Sequence, residues 1–315
     1  MTTTERHERN PLDLSSDAAA EEIDPIRLLL ALISPVPMRE FGEDPYGLDR
    51  YASPAGDPGI FGPGSVVWRV HADLPALLYG GHASLLLQSL HPRVMAGVTD
   101  HSDMTANLVP RLIRTARFVL WTTFGSTELA ESLIERVRLV HDRVRGRTAD
   151  GRPYSANEPS LLTFVHVAEV WGLLRAYQRY STNPLLREEK DRYLQEMTEI
   201  AIRLGARDVP QSVEEVREYF TQISSQLEVT DGSRLAYFIL DQPMSNHPLE
   251  VASHSVIHAT GLDLLPGFAQ RIIGREAPVP LTIAIRAAAM AYATAMRTAS
   301  GANAIAEIAL QRAMA

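Results

Sequence analysis

The chain has 315 residues, 45% hydrophobic and 22% charged, with a formal net charge of −8; it is long enough to bury a sizeable core and too acidic for the concentrated basic surface that nucleic acid needs. Cysteine is absent, which excludes disulfides, thiolate nucleophiles, iron–sulfur clusters, cysteine zinc sites and thiolate-ligated haem. Of 30 basic residues only Lys190 is lysine, leaving 29 arginines, so there is no Walker lysine and any bound anion is held by arginine.

Residues 1–24 read as a disordered or arm-like N-terminus, and residues 25–315 as one all-α domain. Residues 35–64 are rich in proline, glycine and aspartate and read as extended loop with turns. Regular structure is expected from near Val66 onward. Asp73 and Pro75 start a helix that Pro92 interrupts. Pro110 lies near the start of RLIRTARFVLWTTF, which Gly125 ends. Ser126 caps TELAESLIERVRLVHDRVR, with Glu128 in its first turn and Gly146 after its last. Asn157 and Pro159 open SLLTFVHVAEVWGLLRAYQRY, and Ser212 with Glu215 forms a capping box before VREYF. No run alternates with period two between hairpin turns, so little or no sheet is expected among about ten helices. PVPLTIAIRAAAMAYATAM carries Arg286 near its middle and two prolines at its start, and reads as a buried or amphipathic helix. No stretch reads as a signal peptide or membrane span, and a cytoplasmic location is expected.

The chemistry-bearing segment is RVRLVHDRVRG, Arg136 to Gly146. On its helix Leu129, Leu133, Val137, Val140 and Val144 recur at three- and four-residue steps, making an apolar face with His141 on or beside it. Arg138 and Arg145 lie three before and four after His141, on the same side of a continuous helix. Upstream, Arg111, Arg114 and Thr115 share a face. His166 stands in LLTFVHVAEVW and His91 in LLLQSLHP. From spacing alone, His141 reads more readily as a hydrogen-bonded core residue, with arginine stems covering the helix. A haem b also explains the pattern, because it needs an apolar cleft, an imidazole for iron and cations for two propionates.

The run RLIRTARFVLWTTFG followed by RVRLVHDRVRG resembles the catalytic domain shared by bacterial latex clearing proteins (rubber oxygenases) and the endoplasmic-reticulum-bound oxygenase of the mycophenolic acid pathway. GPGSVVWRVHAD, LLLQSLHPRVMAGVTDHSD and PYSANEPSLLTFVHV resemble the soluble bacterial branch of that family. The resemblance covers roughly residues 62–220, with a weaker helical continuation. It implies a globin-like all-α fold that holds one haem b and uses dioxygen on an apolar, unsaturated substrate. Residue by residue, it implies His141 as the proximal iron ligand, Arg145 as the arginine four after it, and Arg111 and Thr115 in the R-x-x-x-T pattern; Arg138, three before His141, joins them as a cofactor-side candidate by spacing. The latex enzymes place a distal lysine immediately before that threonine, where this chain has Arg114. Arginine stays protonated and is a poor iron ligand. The distal position is then open, water-filled or taken by another group, with His166 and His91 as candidates, and rubber itself loses its support as the substrate. The expected partners are an apolar small molecule and, at most, a second copy of the chain in a homodimer, with no stable membrane span.

Three other readings compete. A non-catalytic haem- or lipid-binding helical protein uses the same pocket without turnover. In NHPLEVASHSVIHATG, His247, Glu250, His254 and His258 step by three, four and four, and an i, i+4 histidine pair can chelate zinc or iron. A polar helix face is the commoner meaning of that spacing, and Pro248 puts His247 at or before the helix start. A ligand-sensing transcription regulator requires a basic helix-turn-helix near a terminus, and none is legible.

Overall fold

The computed structural model describes residues 48–101, 108–243, 246–300 and 303–315, and of residues 48, 49, 108–113, 299 and 300 the backbone alone. The arm expected over residues 1–24 lies outside them. Thirteen α-helices are described: α1 Val66–His71, α2 Leu74–Gln88, α3 Pro92–His101, α4 Leu108–Phe124, α5 Thr127–His141, α6 Pro159–Tyr180, α7 Arg187–Leu204, α8 Val213–Ile223, α9 Asp231–Leu240, α10 Pro248–Leu264, α11 Gly267–Ile272, α12 Val279–Ser300 and α13 Ala304–Met314. The only sheet among the described residues is a hairpin of β1 Arg145–Arg147 and β2 Pro153–Ser155, so the fold is all-α as expected.

The helix starts follow local chemistry. Asp73 accepts a hydrogen bond from Ala76 N at 3.2 Å and caps α2. Ser126 does the same for α5 through Leu129 N. Each oxygen satisfies a backbone donor that has no partner inside its helix. Ser212 caps α8 through Glu215 N, but the Glu215 carboxylate turns to Gln211 N at 2.8 Å, so the box is only half made.

Helices α2 and α6 are apolar on nearly every side and form the centre of the core. Their backbones meet at Gly80 and Gly172. A Cβ on Gly80 would stand 2.6 Å from Leu173 Cα, and one on Gly172 would overlap the Gly80 carbonyl oxygen. The obstacle is backbone on backbone, so no side-chain rotation relieves it. Gly172→Ala gains about 1 kcal/mol of helix propensity but forces the two helices apart, at the upper end of the roughly 1–3 kcal/mol that overpacking costs. A net loss of about 2 kcal/mol is expected, read as a lower urea midpoint with unchanged slope.

A smaller core gathers Tyr51, Trp68, Trp121, Phe124, Leu133 and Ile305. Arg312 of α13 is 2% exposed and donates to the carbonyls of Tyr51, Asp57, Phe124 and Gly125 at 2.8–3.1 Å. It thereby ties the C-terminal helix to the α4–α5 turn.

Two expectations are corrected. Helix α5 was expected to run through Arg145 but ends at His141, with Asp142 as its C-cap. The chain then pairs Arg145 with Ser155, Gly146 with Tyr154 and Arg147 with Pro153 in antiparallel register. Gly146 is a hairpin residue, not a helix terminator: a Cβ there would lie 2.5 Å from the Tyr154 hydroxyl. Helix α12 is neither mostly buried nor polar on its outer side. It buries Ala289, Ala293 and Met296, while Leu281, Ile283 and Met290 are exposed. Its segment Val279–Thr298 is long and apolar enough to cross a membrane, with 17% of the window buried.

Candidate functional site

Helices α4 and α5 bury the residues nearest their junction; farther from it, the side chains that are described are mostly exposed or half-buried. On α4, Leu120 to Phe124 are buried while Arg114 and Thr115 are exposed. On α5, Ala130, Leu133 and Ile134 are buried, whereas Leu139 is 56% and Val140 52% exposed. Val140 was expected on the buried apolar face, but burial stops at Ile134 although the helix runs on to His141. Arg111 lies in α4, but its side chain is outside the described residues.

His141 sits between these features as the last residue of α5. It is half-buried, and its Nδ1 is buried with no hydrogen-bond partner. Burial lowers its proton affinity below the ordinary histidine value, with Asp142 opposing, so the ring is neutral near pH 7. Arg138 is exposed and pairs with Glu135 at 3.6 Å. Arg145 is also exposed, but on β1, so it does not share a helix face with His141 and Arg138 as the continuous-helix reading required. Sequence proximity through the short link 142–144 keeps it near the helix end.

The end of α5 is held from the start of α6. Asn157 Nδ2 donates to Asp142 Oδ1 at 2.6 Å and to the Arg138 carbonyl at 3.3 Å. Asn157 was expected to open α6 with Pro159; Glu158 is the N-cap residue instead and makes no side-chain cap. Glu158 instead binds the Arg93 guanidinium with both oxygens and accepts from Ser160. Arg93 also donates to the Pro153 carbonyl at 2.8 Å. The α5 terminus, the hairpin and α3 are thus joined in one polar network.

His91 and His166 are 3% and 8% exposed. His91 Nδ1 and His166 Nε2 are buried without partners, and burial pushes each ring to about 4, helped at His91 by Arg93. His91 packs on Phe164 with ring centroids 5.0 Å apart. No ring contact or hydrogen bond joins either histidine to His141 among the described residues. His71 bonds Thr123 at 2.7 Å and Tyr193 at 3.1 Å, while Asp73 pairs with Arg297.

The later histidines are arranged differently from the sequence reading. His247 is the N-cap residue of α10, outside its helical stripe, and Glu250 forms no ion pair among the described residues. His254 and His258 do share a face, and His82 of α2 joins them. Nothing in the sequence marks His82, because its partner is 176 residues away.

A buried, neutral imidazole nitrogen without a partner, exposed leucine and valine beside it, and arginines around them form a donor set that fits haem b: nitrogen for iron, apolar surface for the macrocycle, cations for propionates.

The family model described as ER-bound oxygenase mpaB/B'/Rubber oxygenase, catalytic domain, matches residues 68–300. No curated protein and no solved structure matches the chain.

Proposed function

The chain belongs to the mpaB/rubber oxygenase catalytic-domain family, and from that premise we propose that it is a haem b-dependent oxygenase acting on an apolar, unsaturated small molecule. The observation that carries the reading is the partnerless buried Nδ1 of His141 at the end of α5. His141 would hold the iron as the proximal ligand. Arg138 and Arg145 would take the propionates, and Leu139 and Val140 would lie against the macrocycle. Arg111, Arg114 and Thr115 would serve the catalytic side, where their hydrogen-bond donors orient oxygen or substrate. His91 and His166 are the candidates for the distal position. When bound, the haem supplies the redox chemistry that activates dioxygen.

The chain's own contributions follow from its chemistry. Neutral His141 offers a lone pair without first losing a proton. Asn157 fixes the backbone that carries it by binding the Arg138 carbonyl and Asp142. An arginine beside the oxygen site donates hydrogen bonds but does not ligate iron, since its guanidinium stays protonated.

Purified protein mixed with haemin is expected to take up about one equivalent and to show a Soret band that shifts on reduction and on adding carbon monoxide. Oxygen uptake with isoprenoid or other alkene substrates then tests turnover. A protein that binds no haemin overturns the reading; one that binds it, forms the ferrous–oxygen complex and oxidises none of these substrates is a haem-binding protein instead.

A further inference from the structure

Three histidines that the haem reading does not use meet between α2 and α10. His82 Nε2 stands 3.0 Å from His258 Nδ1. The His254 ring, one turn before His258, stacks on it at 20° with centroids 6.2 Å apart. It meets His82 edge-on, also at 6.2 Å. His258 Nε2 lies 3.3 Å from Asp241 Oδ1 at the end of α9. Gly261 makes room for the group: a Cβ there would stand 2.6 Å from His82 Cδ2.

The protons in this cluster can be placed. A neutral imidazole has one N–H and one lone pair. Asp241 is an acceptor, so His258 keeps its proton on Nε2 and its lone pair on Nδ1, aimed at His82. The His82 proton then lies on Nε2, in the shared contact. His254 Nε2 is buried and has no hydrogen-bond partner. A buried nitrogen left this way is unusual in a folded protein, and here it adjoins two imidazoles that already face each other.

We propose that His82, His254 and His258 form a binding site for a divalent first-row transition metal of the zinc type, with Asp241 orienting His258. Three neutral imidazoles suit such an ion, and a carboxylate behind a ligating histidine fixes its tautomer and raises its basicity. Two nitrogens bound to one tetrahedral zinc stand about 3.3 Å apart, close to the separation between His82 and His258. Binding moves the His82 proton from Nε2 to Nδ1, with no net proton release. Among the described residues no three ligating groups are preassembled around one point, so the ion draws the His254 ring in from its stacked position. Asp241 is exposed and marks the entry side. The bound ion clips α2 to α10, and among the described residues no hydrogen bond or ring contact joins this cluster to His141.

The test uses the full chain, stripped with EDTA and dialysed against zinc chloride. About one zinc per chain is expected, with an upward shift of the melting midpoint, and cobalt(II) in place of zinc should give the absorption bands of a nitrogen-ligated ion. His82→Gln, His254→Gln and His258→Gln should each weaken zinc binding at least tenfold. Asp241→Asn, at an exposed position that folding tolerates, should weaken it about tenfold. His141→Ala should leave zinc stoichiometry unchanged, which separates this site from the haem reading. Zinc uptake well below one per chain with no cobalt bands overturns the proposal, as does binding that persists in the His82→Gln/His258→Gln double variant.

Discussion

Replacing His141 with alanine is expected to abolish stable haem incorporation while leaving the helical fold in place. The side chain contributes little to packing. The buried residues of α5 are Ala130, Leu133 and Ile134, and the last of these is seven residues before His141. The ring is half-buried and its Nδ1 makes no hydrogen bond, so truncation removes no native partner. A loss within about 1 kcal/mol of fold stability is the usual cost at such a position. The anchoring imidazole has no substitute at this position, since His141 is the only histidine of α5. Arg138→Ala and Arg145→Ala should behave differently, weakening haem retention by up to about fivefold without abolishing it, because each removes one exposed charge contact worth at most about 1 kcal/mol. Absorption spectra of the three variants after haemin reconstitution, with circular dichroism as the fold control, separate these outcomes. Full retention of the Soret band and its carbon monoxide shift in His141→Ala would sink the assignment of the ligand.

Much of the fold is legible because its signals are local. Asp73 and Ser126 announce helix starts through side-chain oxygens that act within three residues. The β-hairpin was missed because strands of three residues carry no measurable alternation. Its one local signal is Asp150–Gly151, where Gly151 takes a φ of +86°, and a turn signal of that kind also ends the helical reading of Val144 and Arg145. The exposure of α12 was missed for another reason. Its buried stripe of Ala289, Ala293 and Met296 is mostly alanine, and so is much of its exposed side. Composition therefore cannot say which face packs. Tyr79 settles it by donating to the Ala289 carbonyl at 3.0 Å.

The residues of the candidate site were legible, but not their relations. His141, Arg138 and Arg145 were placed on one helix face, a relation that fails once the helix stops at His141. Asn157 was assigned to the helix it precedes, and its amide is used instead by the helix before the hairpin. Both errors arise from contacts made across the hairpin.

Acidification supplies the second large effect: haem-free, metal-free protein is expected to lose stability steeply as pH falls from about 6.5 to about 4. His91 and His166 are nearly inaccessible to water, and burial takes each from an ordinary 6.5 to about 4. His71 is fully buried and lies lower, at about 3. The unfolded chain takes up these protons first, so between 6.5 and 4 it binds more protons than the native state and stability rises with pH. The histidine contribution is fully present above 6.5 and is lost as pH falls toward the folded values. Each group is worth roughly 3 kcal/mol over that range. Glu169 acts in the opposite sense. Burial raises its carboxyl from 4.5 to about 7, so its contribution is present below 4.5 and lost as pH rises. It offsets about one of these three histidines, which leaves roughly 6 kcal/mol, and His82, lowered to about 3 by burial, adds to the loss in the same direction; the total is comparable to the whole stability of an ordinary domain. Urea denaturation between pH 8 and pH 4 measures the slope. Substituting His166 with leucine should remove close to one proton from it, because that ring has no hydrogen bond at Nε2 to lose. The variant should match or exceed wild type at pH 7 and clearly exceed it at pH 4.5. An unchanged slope in His166→Leu, or a wild-type profile that is flat across this range, would mean that these rings are hydrated or protonated in the folded chain.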